Sequence, residues 1–130
     1  MTTATKRVHI TDLHSDHHMW LNSLSFFKEE INILERRLEE VAKRNTESEV
    51  LAHLEHFQNQ YIRQREVIDE LRHDIKQHEN SLELAVKENP TAVDHRLFPD
   101  HTDLRERVIT FEKLYADLKA ELMRWLSGRL

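Results

Sequence analysis

From Leu13 to Val41 the chain carries a seam of residues spaced alternately four and three apart: Leu13, His17, Trp20, Leu24, Phe27, Ile31, Leu34, Leu38 and Val41. Four heptads without a break impose a helix, because a strand alternates with a period of two. They also impose a partner, because a stripe of this kind is stable only when packed against another. Phe26 and Ile33 lie beside the line and are expected to widen the apolar face. A second seam runs through Val50, Leu54, Phe57, Tyr61, Gln64, Ile68, Leu71, Ile75, His78, Leu82 and Ala85, and a third through Leu104, Val108, Phe111, Tyr115, Leu118, Leu122 and Trp125.

The punctuation between seams sets the topology. Lys43, Arg44 and Asn45 end the first helix, with cations at its negative pole and an asparagine that tolerates a left-handed cap. Thr46 and Glu49 have the spacing of a capping box, so the next helix follows at once and the two form an antiparallel hairpin. Asn89-Pro90 closes the second helix, because a residue before proline avoids the helical region. The expected architecture is all-α, an elongated antiparallel three-helix bundle forming one domain over residues 1–130. Its helices span about 12–44, 47–88 and 103–127, with a linker at 89–101 containing both prolines. A single glycine, Gly128, leaves little material for β-turns.

On these boundaries the helices are unequal, roughly 50, 60 and 38 Å long at 1.5 Å per residue. A short third helix covers only part of the hairpin. The remaining seam, with Phe27, Ile31, Leu34, Leu38, Leu54, Phe57 and Tyr61, then needs cover, and a homodimer closing a four-helix segment would supply it. An extended linker reaching about 40 Å would instead let the third helix slide along the hairpin. Gln64 in the second seam suits the fixing of register.

Composition narrows the function. A formal charge of −5 argues against a nucleic-acid partner, and no apolar run approaches a membrane span. Cysteine is absent, so thiolate ligands and disulfides are excluded. With one glycine no phosphate-cradling loop is available, and no serine has a nucleophile's setting. Residues 1–20 lack the apolar centre of a secretory signal, and a cytoplasmic protein is the expectation.

Ten histidines are the anomaly. His17 and His78 occupy seam positions, and an antiparallel hairpin closing near residue 45 brings them to the same end. His14 and Asp74 flank them, and Glu112 is a further donor from the third helix. Imidazoles and carboxylates converging inside a bundle are how such folds hold metal ions. His14, His17, His78 and Asp74 are therefore the candidate ligands, with zinc, iron or manganese as the ion. His18 and His73 fall on outer faces, His53 and His56 on a rim, and His9, His95 and His101 in the tail or linker, read as surface. Ferritin-like di-iron bundles need two Glu-x-x-His motifs facing inward. This chain has one, Glu70 to His73, turned outward by its heptad phase. The hemerythrin-like ligand pattern is likewise incomplete.

The reading that follows is a non-enzymatic interaction or scaffolding protein, acting as a homodimer with no cofactor and with a further protein partner unidentified. The alternative is a histidine-rich metal-binding bundle with a redox or hydrolytic role. Protonation of His17 and His78 would loosen either assembly between roughly pH 7 and 5.

Overall fold

In the computed structural model the three seams become three helices, α1 over Ile10–Arg44, α2 over Ser48–Glu88 and α3 over Val93–Ser127. The structure describes residues 10–88 and 93–128, with side chains from 12 to 88 and from 99 to 128. The capping residues behave differently from the expectation at one point. No non-glycine residue among those described adopts a positive φ. Asn45 caps α1 through its side chain instead, donating from Nδ2 to the Val41 carbonyl at 2.8 Å. The Leu51 N–H bonds the Glu47 carbonyl at 3.0 Å, so Glu47 rather than Thr46 stands at the N-cap of α2.

Cross-helix pairs fix the directions. Lys28 meets Asp69 at 2.7 Å, and Arg65 reaches Asn32 at 2.7 Å and Glu35 beside it, so α1 and α2 are antiparallel. Arg107 meets Asp74 at 2.8 Å near one end, while Trp125 packs on Phe57 at 5.5 Å near the other, so α3 runs antiparallel to α2.

The third helix corrects the expected boundaries. It starts at Val93, inside the segment read as a linker, and Pro99 lies within it. Proline in a helix removes one backbone hydrogen bond. Here the helix continues through it because the residues that follow are gripped by the bundle: His101 and Leu104 are buried. The side chains of Val93, Leu97 and Phe98 lie outside those described. At 35 residues α3 equals α1 in length and reaches the hairpin's closed end.

That length removes the bare ribbon from which a dimer interface was argued. Ile31, Leu34, Leu38, Leu54, Phe57 and Tyr61 are buried within one chain, and Phe27 packs partly buried against Phe111 and Tyr115. Phe26 and Ile33, expected to widen the apolar face, are exposed. At the C-terminal end Leu126 takes the core position, and Trp125 sits at the edge between Phe57 and His53.

Polar groups punctuate this core. Gln64 is buried with Oε1 unpartnered among the described residues, as is the Tyr61 hydroxyl. Tyr115 donates to Glu30 at 2.6 Å and Lys119 joins the same carboxylate at 3.0 Å. Burial opposes ionisation of Glu30, but these two partners outweigh it and hold its pKa below the ordinary value. Burial pushes the Tyr115 and Tyr61 phenols upward.

Three outcomes test this packing. Phe57→Ala should cost about 3–5 kcal/mol of unfolding free energy. The wild-type melting midpoint should not move with protein concentration, as an obligate dimer's would; a midpoint rising with concentration would return the seam residues to an interface. Tyr115→Phe should lose about 1–2 kcal/mol near neutral pH, since the acceptor is charged and retains Lys119. A carboxylate with a depressed folded-state pKa stabilises above its unfolded pKa and loses that contribution as pH falls through the folded value. The deficit of Tyr115→Phe, followed by urea unfolding, should therefore narrow below about pH 4.

Candidate metal centre

Three seam positions meet near the end of the bundle remote from the hairpin turn. His17 from α1, His78 from α2 and His101 from α3 are all buried, at 1%, 7% and 0% exposure, where histidine is normally wetter. Each offers a ring nitrogen, and the three nitrogens lie within 4.8 Å of one another. The ring centroids are 5.0, 5.1 and 5.8 Å apart. A tetrahedral ion with Zn–N bonds of about 2.0–2.1 Å sets ligand nitrogens roughly 3.3 Å apart and ring centroids roughly 5 Å apart.

The layer interrupts the apolar core. On one side lies the main core from Leu24 onward; on the other, Leu13 and Leu82 form a small separate cluster with Ala85 and Val86. Trp20 stacks on His101 at 4.9 Å and walls the layer off.

Outer carboxylates set the tautomers. His17 Nδ1 and His14 Nδ1 both donate to the Glu79 carboxylate. His101 Nε2 donates to Asp16 Oδ2 at 2.9 Å, and Arg105 meets the same oxygen at 3.3 Å. Burial disfavours the charged form of Glu79, but the bonds from His17 and His14 outweigh it and keep the carboxyl below its usual range. With those protons on the outer nitrogens, neutral His17 has a lone pair at Nε2 and neutral His101 has one at Nδ1. These two atoms face each other 3.3 Å apart. Facing lone pairs repel unless a proton or a cation lies between them. The third ring adds a further inner nitrogen: His78 Nε2 is buried with no hydrogen-bond partner among the described residues.

Burial lowers the pKa of His78, and proximity to His17 and His101 adds to that. Burial also lowers His101, against an opposing pull from Asp16. Both shifts favour neutral imidazole, the form that ligates metals.

The expected ligands fare unevenly. His17 and His78 are brought together as the seam required. His14 is half exposed and touches Glu79 rather than the inner nitrogens. Asp74 is held by Arg107 instead of turning to the histidines. Glu112 is exposed, roughly three helical turns along α3 from His101. His101 replaces them, together with Asp16 and Glu79 behind the rings. A signal for His101 was present: stepping the third seam back three residues from Leu104 lands on it.

Among the described residues no helix is long and apolar enough to cross a membrane. Comparison with protein-family models, curated proteins and solved structures finds no match.

The tautomers are directly measurable. Long-range 1H–15N correlation spectra of metal-free protein should show His17 protonated at Nδ1 and His101 at Nε2. His17 protonated at Nε2 would dissolve the facing lone pairs. Glu79→Gln, which removes the charged acceptor, should weaken the Nδ1–H preference of His17.

Proposed function

We propose that this protein is a metal-binding helical bundle, holding one divalent late first-row transition ion through His17 Nε2, His78 Nε2 and His101 Nδ1. One observation carries the reading: three buried imidazoles converge with inner nitrogens unprotonated or unpartnered, while carboxylates hold the outer nitrogens of two of them. Ligating histidines commonly donate their second N–H to a carboxylate, which fixes the ring and raises its basicity. An all-nitrogen donor set suits zinc, copper or nickel, whereas manganese prefers oxygen donors. Zinc is the favoured ion, being content with three histidines in a tetrahedral arrangement.

The scaffolding reading drew its support from an uncovered apolar seam. With that seam buried inside one chain, the histidine layer is the better-supported basis for function. A layer of imidazoles in a core costs desolvation and packs less well than leucine would, and a bound cation offsets that cost.

Protein purified without chelator and dialysed should retain about one transition-metal ion per chain by elemental analysis. Stripped protein should gain about 2.7 kcal/mol of stability at free Zn2+ one hundred times the dissociation constant. His78→Ala or His101→Ala, checked for helicity, should abolish that gain. Glu79→Gln and Asp16→Asn should each weaken binding about 10–100-fold. Asp74→Asn should leave binding unchanged. Protein that neither retains nor takes up metal would leave the cluster as a proton-sharing layer and end the proposal.

A further inference from the structure

We infer that the ion held by the three histidines keeps an exchangeable coordination position, open to water and small monoanions from the α2/α3 groove beside His78. This rests on the metal-binding reading and adds to it the class of ligand the site accepts.

Three observations carry it. First, the donor set stops at three. Among the described residues no fourth histidine, aspartate or glutamate joins the group, and the chain has no cysteine. Glu79 and Asp16 are committed to the outer nitrogens of His17 and His101, and Asp100, whose charge acts on His78 from the groove, is not one of the group. Structural zinc sites use four protein ligands, whereas three protein ligands leave a place for water or substrate. Second, one side of the layer borders solvent: His78 is the most exposed of the three rings, at 7%, although its Nε2 is buried. His78 forms part of the wall of a groove of about 280 Å³ between α2 and α3, shared with Asp74, Gln77, Ser81, Asp100 and Arg107. The opposite sides of the layer are closed by Trp20 and by Leu13 with Leu82.

Third, charge selects the ligand. Asp74, Asp100 and Asp103 line the groove against a single cation, Arg107, which is already paired with Asp74. Behind the rings, Asp16 and Glu79 offset the two positive charges of the ion. A dianion such as phosphate approaches carboxylates and a compensated metal, so it gains little. A compact monoanion carries half that charge and meets correspondingly less repulsion, and water meets none. A divalent ion held by the three histidines would lower the pKa of a water in its fourth position.

Cobalt(II) is the probe, because its visible bands report coordination number and ligand exchange. The metal-free full-length protein is loaded with Co2+ to one ion per chain, then titrated separately with sodium azide and with phosphate. Expected are a saturable shift of the visible bands with azide and none with phosphate, with the shift lost in His78→Ala. Co2+ bound at one per chain with bands indifferent to azide would overturn the exchangeable position and leave the metal site standing as a structural one. Bands that respond equally to phosphate would overturn the charge selection. Failure to bind Co2+ at all would take down the metal-binding reading and this inference with it.

Discussion

Burial of a continuous seam holds the three helices in a single register, and the register decides which side chains meet. Each buried leucine or isoleucine contributes about 1.5–3 kcal/mol relative to exposure, so slipping one helix against another by a turn is costly many times over. That is why a seam position is worth more as a predictor than proximity in sequence. His17, His78 and His101 are level with one another because Leu24, Ile75 and Leu104, a turn or two away on each helix, have nowhere else to go.

The same constraint makes the imidazole layer expensive. A ring nitrogen cut off from water and left without a partner costs on the order of 1–3 kcal/mol. The bundle reduces this cost for two of the rings by turning Glu79 and Asp16 toward them, and leaves His78 Nε2 unsatisfied. The mid-bundle layer around Glu30 is built differently: its carboxylate receives both a hydroxyl and an ammonium, so that layer is closed by its own partners. These two polar layers thus have opposite characters, one satisfied by its own partners and one with an inner nitrogen left unpartnered.

Much of the architecture was legible in the residues. The first two seams were read position by position, His17 and His78 included, because alternating steps of four and three leave little choice of face. The third helix was misjudged at its start. Pro99, inside the segment read as a linker, argued for a later start, but one lost backbone bond is a small penalty beside the burial of His101 and Leu104. With that start went the helix length, the apparent shortfall of cover and the argument for a dimer drawn from it. The carboxylates were hidden for another reason. With 24 acidic residues, nearly all on helices, nothing in sequence distinguishes Glu79 and Asp16 from neighbours that merely face solvent. Asp74 shows the converse: it sits one turn from His78, yet an arginine from another helix claims it.

The separation of Leu13 and Leu82 from the main core has a kinetic consequence. Among the described residues Leu13 and Leu82, with Ala85 and Val86, anchor this end, and a segment anchored by less apolar surface than the body opens at a lower free energy than global unfolding. Fraying of this end exposes the histidines while the body of the bundle stays folded. An ion would then come and go on the timescale of end fraying, and its residence would tie the first turns of α1 to the last turns of α2. Amide protection around Leu13 and Leu82 becomes, on that view, a gauge of how fully the protein is loaded.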